Sequence, residues 1–361
     1  MKTLLITLEY PPFKGGVANY YGNLVKYWPL GEKVSVVSNS HGELIDPEQV
    51  IPWAKTISLI LNKKRQKSFD YLLVGHILPL GTAAYIAAWF RRFKYGVILH
   101  GLDFTLATST AWKRFLTRLI LGRADKIICA NSYLASLVKN FSPKLETKTF
   151  IVNPGIDPII PDADCDKVKE IRNKYDLDNN FSLITLGRLV LRKGVDQVIA
   201  ALSNLSFEDF KIKYFIVGKG PEEAHLKSLA AVSPIKENIF FINEISDTDK
   251  WCWLYACDAF IMPARQIGND FEGFGIVYLE ANLTKKPVIA GASGGVKDAV
   301  ENEVNGLLVN PESLEDIRNA ILRLANDKEL RTRLGEQGRE RAIKNFRFEK
   351  QSERLLNIIK N

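Results

Sequence analysis

The sequence predicts two doubly wound α/β domains, and three observations carry that expectation. Short apolar runs alternate with segments of helical period along all 361 residues. The runs form two series of six, parted by a Pro- and Asp-rich stretch, NPGIDPIIPDADCD, at 153–166. A chain of this length supports two domains, each large enough to bury its own core. Alternating strands and helices favour parallel sheets covered on both faces.

Residues 1–10, MKTLLITLEY, hold one Lys and an apolar run too short for a signal peptide. They read as the lead-in to a buried strand at 4–8. Further strands are expected at 34–38, 71–75, 96–99, 126–130 and 149–152. Residues 71–90 carry no formal charge apart from His76, and by length they reach across a bilayer. Pro79 and Gly81 interrupt them, however, and His76 would be costly at mid-membrane. Strand to 75, loop 76–81 and helix 82–93 explain that punctuation better. In AWKRFLTRLILGRA (111–124), Trp112, Phe115, Leu116, Leu119 and Ile120 are expected to share one helical face beside Lys113, Arg114 and Arg118. The stretch 153–166 is the hinge candidate. The second series of strands is expected at 182–187, 213–218, 239–242, 259–262, 287–290 and 306–309.

Composition adds bounds. Hydrophobic content of 46% and charged content of 25% are ordinary for a globular protein. Cys129, Cys165, Cys252 and Cys257 lack metal-ligand spacing and read as reduced, packed thiols of a cytosolic protein. The net charge of +8 is uneven: 20 Lys and Arg face 9 Asp and Glu through Phe150, against 29 and 32 thereafter. The excess lies among aromatic residues, in WFRRFKYG (89–96) and in 111–124. Such mixing suits an anionic membrane surface, and equally a core helix with solvated cations. Nucleic acid fits poorly, because no binding motif is present and the cations sit among apolar residues.

In doubly wound sheets ligands bind beyond the carboxyl ends of the strands, so the post-strand loops should hold the chemistry. After the fourth strand of the second series comes DFEGFGIVYLEAN (270–282), with carboxylates at Glu272 and Glu280. Gly273 and Gly275 flank Phe274 and permit close approach of a ligand, while a helix beginning near Gly275 would aim the N–H groups around Ile276 at an anion. Eight residues span roughly 80° around a helix and roughly 12 Å along it, so the acids suit the two ends of a sugar nucleotide. After the first strand, EYPPFKGGVANY (9–20) leads through Gly15 and Gly16 into a helix; it has neither dinucleotide-fold nor P-loop spacing. In GRLVLRKG (187–194), Arg188 and Lys193 lie five apart on a strand-to-helix loop and suit a diphosphate. His100 precedes Gly101 at a strand end, with His76 a weaker second candidate and His41 and His225 without supporting context.

Together these motifs resemble the retaining GT-B glycosyltransferases of glycosyltransferase family 4, with its E-x7-E pair, glycine-rich first loop and paired Arg and Lys. Further similar stretches are VGKGPEEAHL (217–226), MPAR (262–265) and AGASGGVKDA (290–299), and the combination looks most like the branch that mannosylates phosphatidylinositol. The resemblance implies a GT-B fold, two Rossmann-like domains facing a central cleft. Residues 1–155 would bind the acceptor, with a C-terminal helix at 346–361 packing back on them, and 156–345 would bind the nucleotide sugar. It implies diphosphate contacts for Arg188 and Lys193, the adjacent Arg192 being passed over. Glu280 would hold the ribose. Glu272 and the backbone of Gly273, Phe274, Gly275 and Ile276 would hold the hexose, with Gly15, Gly16 and Gly218 lining the ligand and His100 reaching the sugar. His100, Glu272, Arg188 and Lys193 are then the catalytic set.

The implied donor is a nucleotide-diphosphate hexose, GDP-mannose or a UDP-hexose, and the acceptor is lipid-linked or a saccharide, as in cell-envelope polysaccharide biosynthesis. No cofactor or metal is expected, since the two cations supply the leaving-group charge; Asp162 and Asp164, like Asp176 and Asp178, read as linker residues. The setting would be cytoplasmic, peripheral on the inner membrane face where the basic surface engages lipid. The chain departs from the family at FINEIS (241–246), where a glycine is usual, and at Phe348, where Trp is common. Two other classes stay open: a non-hydrolysing sugar-nucleotide epimerase and a silent sugar-nucleotide-binding protein.

Overall fold

A computed structural model describes residues 1–13, 15–40, 42–46, 48–159, 165–205, 212–243 and 245–361. The chain forms two compact units, Met1–Gly155 with Phe348–Asn361, and Ile156–Arg347. Each is built on a six-stranded sheet in which every pair is parallel. All twelve expected strands are present, with ends shifted by two residues or fewer.

The first sheet comprises β1 (Lys2–Thr7), β2 (Lys33–Ser38), β3 (Tyr71–Val74), β4 (Lys94–Leu99), β5 (Lys126–Cys129) and β6 (Thr149–Ile151), in the order β2-β1-β3-β4-β5-β6. Its central strands are continuous apolar runs because helices cover both faces: Leu72, Val74, Val97 and Leu99 pack on one side, Leu5, Leu73 and Ile98 on the other. The chain changes direction across the sheet between β1 and β3, so the loops after these strands part and leave a crevice. The uncharged segment at 71–90 resolves into β3, a wide turn at Ile77–Gly81 and a helix at Thr82–Phe90. No described helix is long and apolar enough to cross a membrane. The last helix, Phe348–Lys360, lies on the helix Gly16–Lys26. Leu355, Leu356 and Ile359 join Tyr20, Leu24 and Trp28 in one cluster, Phe348 stacks on Tyr27 at 5.6 Å, and Lys360 reaches Glu32 at 2.6 Å.

The helix Ala111–Arg123 corrects the expected apolar face. Thr117, Ile120 and Leu121 turn inward, where the Tyr95 hydroxyl donates to the Ile120 carbonyl at 2.7 Å. Trp112 and Phe115 point outward, 62% and 64% exposed, with Leu119 beside them. Two apolar stripes share this helix, and periodicity alone merged their edges at Ile120.

The second sheet holds β7 (Phe181–Leu186), β8 (Ile212–Val217), β9 (Ile239–Ile242), β10 (Ala259–Met262), β11 (Val288–Gly291) and β12 (Gly306–Val309). Their order is β12-β11-β10-β7-β8-β9, the doubly wound nucleotide-binding arrangement with its switch point between β7 and β10. Phe215, Trp253, Phe260 and Tyr278 pack on one face, and Leu183, Tyr214, Ile216 and Ile289 on the other. Each large side chain so buried contributes about 1.5–3 kcal/mol. Cys129, Cys252 and Cys257 are buried free thiols, whereas Cys165 is exposed at the start of the helix Cys165–Lys174, against the expectation that all four pack. Of the acidic pairs, Asp178 meets Arg172 at 2.6 Å and Asp176 caps a turn through Asn179 at 2.7 Å; Asp162 and Asp164 lie outside the described residues.

Candidate active site

In Ile156–Arg347 the chemistry collects where β7 and β10 lie side by side. After β7 the chain passes Arg188, makes a tight turn at Leu191–Lys193 and enters the helix Val195–Ser203. After β10 a loop runs to Gly275 and the helix Ile276–Leu283. Glu272 sits in that loop, 8% exposed. Lys193 Nζ reaches its Oε2 at 2.6 Å, and Arg192 Nη1 bonds the same oxygen. Arg192 also meets Asp270 at 3.1 Å, and its carbonyl accepts from the Arg265 N–H at 2.8 Å. Arg265 in turn bonds Asp196 at 2.6 Å, so the two loops are laced together by charge-assisted bonds. Burial alone would raise the Glu272 pKa, but the Lys193 and Arg192 charges and their hydrogen bonds outweigh it and hold the carboxyl below its usual range.

Gly275 caps the helix at φ 77°, and a Cβ there would lie 2.4 Å from the Tyr278 ring, so only glycine fits. Of its neighbours, Gly273 is half-buried, Phe274 packs on Phe346 with centroids 5.6 Å apart, and Ile276 is exposed. Glu280, in the next turn, pairs with Lys250 at 2.6 Å, and Lys250 lies over the Trp251 ring. Arg188 is exposed, and its guanidinium has no ion pair among the described residues. Gly218 has a different constraint from the expected one. A Cβ there would sit 2.1 Å from the Gly187 carbonyl oxygen, so its lack of a side chain lets the loops after β7 and β8 touch.

In Met1–Gly155 a second polar group gathers at the switch point of the first sheet. Gly15 precedes the helix Gly16–Lys26, and nothing stands within 4 Å of a Cβ built on Gly16. From that helix Tyr20 and Tyr21 set their rings edge-on to His100, at 5.0 and 5.2 Å. The Tyr21 hydroxyl donates to the Gly75 carbonyl at 2.9 Å and lies 2.9 Å from His100 Nε2. The backbone N–H groups of His100 and Gly101 donate to Asp103 Oδ1, at 3.0 and 2.8 Å. His76 faces Glu9 at 3.9 Å. Burial first, and His76 second, push His100 down to about 3, so its imidazole is neutral near pH 7. Burial also raises Asp103, against the pull of those two N–H groups.

Comparison with known proteins gives the class of enzyme. Residues 167–341 match the family of glycosyl transferases group 1. The chain is 25% identical over 380 residues to the GDP-mannose-dependent alpha-(1-6)-phosphatidylinositol monomannoside mannosyltransferase of Mycobacterium tuberculosis (strain CDC 1551 / Oshkosh), covering 99% of this chain and 98% of that protein. It is 28% identical over 383 residues to the GDP-mannose-dependent monoacylated alpha-(1-6)-phosphatidylinositol monomannoside mannosyltransferase of Corynebacterium glutamicum, covering 100% and 98%. Among solved structures, Anabaena HepE in complex with UDP and glucose superposes with a TM-score of 0.77 at 18% identity, covering 100% of this chain and 99% of that one. Sucrose-phosphate synthase from Thermosynechococcus elongatus gives 0.75 at 20%, covering 99% and 98%.

The chain is a glycosyltransferase whose residues 167–341 match the group 1 family. The glycosyltransferase has the GT-B fold and, as a family 4 enzyme, is a retaining one that draws on a nucleotide sugar. Three residues at its two polar centres escaped sequence reasoning. Arg192 was passed over for Lys193, although both meet Glu272. Lys250 and Tyr21 carry no local motif; their partners lie 30 and 79 residues away along the chain.

Proposed function

We propose that this glycosyltransferase moves a hexose from GDP-mannose or a UDP-hexose to a lipid-linked or glycan acceptor, forming an α linkage without a metal. The observation that carries the reading is the array at the β7/β10 crevice. Glu272 is buried with Lys193 and Arg192 on one oxygen, Arg188 is exposed nearby in sequence, and Glu280 stands one helical turn into Ile276–Leu283. Arg188 and Lys193 would take the diphosphate, and Glu280, held by Lys250, the ribose hydroxyls. Glu272 would offer its second oxygen to the hexose, beside the N–H groups of Gly273–Ile276, and His100 would meet a hexose hydroxyl.

The bond from the anomeric carbon to the β-phosphate oxygen breaks as the acceptor oxygen adds on the same face. The departing phosphate takes the acceptor's proton, and the two cations neutralise its charge. The donor choice rests on relatives named for GDP-mannose and on a structural neighbour that binds UDP and glucose. A lipid-linked acceptor is favoured by Trp89, Phe90, Trp112 and Phe115, all exposed on a unit rich in cations. Peripheral attachment to an anionic membrane would present such an acceptor.

The test is a panel of nucleotide sugars incubated with a lipid extract, following nucleotide diphosphate release and glycolipid product. Conversion of the donor to its epimer without release would favour an epimerase, and neither change with any donor would sink the proposal.

A further inference from the structure

We infer that Tyr21 is a positioning residue: it holds His100 in the Nε2–H tautomer and leaves Nδ1 as the acceptor of a substrate hydroxyl. The argument is one of proton counting. The Tyr21 hydroxyl has one proton and two neighbours at 2.9 Å, the Gly75 carbonyl and His100 Nε2. The carbonyl can only accept, so the tyrosine proton belongs to it. Both contacts are hydrogen bonds only if Nε2 carries a proton and donates to the Tyr21 oxygen. The opposite assignment would set two unshielded oxygens 2.9 Å apart in a buried place, which costs the desolvation of both.

The surroundings keep this arrangement rigid and the ring uncharged. Tyr21 is fully buried. Its hydroxyl can approach β3 only because Gly75 lacks a side chain, since a Cβ there would lie 2.8 Å from the Tyr21 oxygen and 2.9 Å from Thr7 Oγ1. Facing the imidazole are Tyr20 from the same helix, His76 after β3 and Asp103 from the short helix Leu102–Ala107 that follows β4, with Glu9 near Tyr21. Burial and His76 disfavour the imidazolium, and Asp103 spends its Oδ1 on backbone N–H groups. His100 Nδ1 has no hydrogen-bond partner among the described residues, and the residue keeps part of its surface open.

A lone pair at Nδ1 selects its ligand by chemistry. A hexose hydroxyl can donate to it; an ionised diphosphate oxygen cannot. This rests on the glycosyl-transfer reading, in which His100 meets a hydroxyl of the transferred sugar: Tyr21 keeps Nδ1 open for that hydroxyl and leaves the diphosphate to other groups.

The tautomer is measurable without any substrate. In protein labelled with 15N-histidine near pH 7, the His100 signals, identified by their loss in His100→Gln, should show a protonated Nε2 and a bare Nδ1. In Tyr21→Phe that pattern should shift toward the mixture of Nε2–H and Nδ1–H tautomers of an unconstrained histidine side chain. With the donor found active in the panel, Tyr21→Phe should lower turnover roughly tenfold, the loss of one hydrogen bond, with affinity for the nucleotide diphosphate alone unchanged. A bare Nε2 or a doubly protonated ring in the wild type overturns the inference, as does an unchanged pattern or unchanged turnover in Tyr21→Phe. Should Tyr21→Phe not fold, the wild-type spectrum still decides the tautomer. A spectrum as expected from a protein inert toward every donor counts against glycosyl transfer instead.

Discussion

Glu272 and Arg188 separate stability from chemistry at single residues. Glu272→Ala strands Lys193 and Arg192 beside an empty space. Arg192 keeps 22% of its side-chain surface in water and retains Asp270, so the expected loss is about 2–3 kcal/mol, below that of a fully buried pair. Arg188 is exposed and makes no ion pair among the described residues, so Arg188→Ala should leave the urea midpoint unchanged. Turnover should nevertheless fall by about 2.7–4 kcal/mol in transition-state free energy, the scale of one preorganised donor. Equal activity in Arg188→Ala and wild type would remove Arg188 from the site. His100 sets an acid limit on stability. Folding moves its pKa from 6.5 to about 3, so the unfolded chain binds more protons between those values. The stability is therefore present above pH 6.5 and drains as pH falls toward 3. Glu272, also depressed by folding, adds a loss that begins only near its ordinary 4.5. Urea titrations at about pH 7.5 and about pH 5 should show a shallower pH dependence in His100→Asn than in wild type. Identical slopes would place the acid sensitivity elsewhere.

Among the elements, the helix Ala111–Arg123 is the most instructive. Its aromatic residues were legible in the sequence, but their direction was not, because Thr117, Ile120 and Leu121 supply a second apolar stripe against the core. Trp112 and Phe115 are left facing water, with Arg114 and Arg118 lying over Phe141 at 5.7 and 5.0 Å. If this face meets lipid, each cation near an anionic surface adds about 1 kcal/mol, and inserted aromatic area adds more. Co-sedimentation should then be stronger with anionic than with neutral vesicles and should weaken as salt is raised. Trp112→Ser/Phe115→Ser, both at exposed positions, should reduce binding without lowering the melting temperature. Equal partitioning of both proteins into both kinds of vesicle would mean that the aromatic face has another use.

At the level of the whole molecule, the two sheets differ in what their switch points present. The second offers cations and carboxylates between β7 and β10; the first offers a neutral imidazole, tyrosines and half-buried acids around β1, β3 and β4. Such a division suits an enzyme whose leaving-group charge is met by side chains. Activity with the donor identified in the panel should therefore persist in excess EDTA. Abolition by EDTA and rescue by manganese would overturn the metal-free reading and return attention to Asp176 and Asp178.

The sequence by itself determined the two six-stranded sheets, because a strand buried on both faces needs a continuous apolar run and its loops need glycine and polar residues. It also determined that Glu272 stands before a helix and Glu280 within it, since Gly275 marks the boundary locally. Only the tertiary structure decided which groups those residues meet. Lys193 and Arg192 reach Glu272 across about eighty residues because strand order puts β7 beside β10. Lys250 finds Glu280, and Tyr21 finds Gly75 and His100, by the same route. Periodicity and propensity act within a few turns of the chain, whereas side-chain pairing depends on which strands lie adjacent, and so the partners that set each charge and each proton became visible only in the fold.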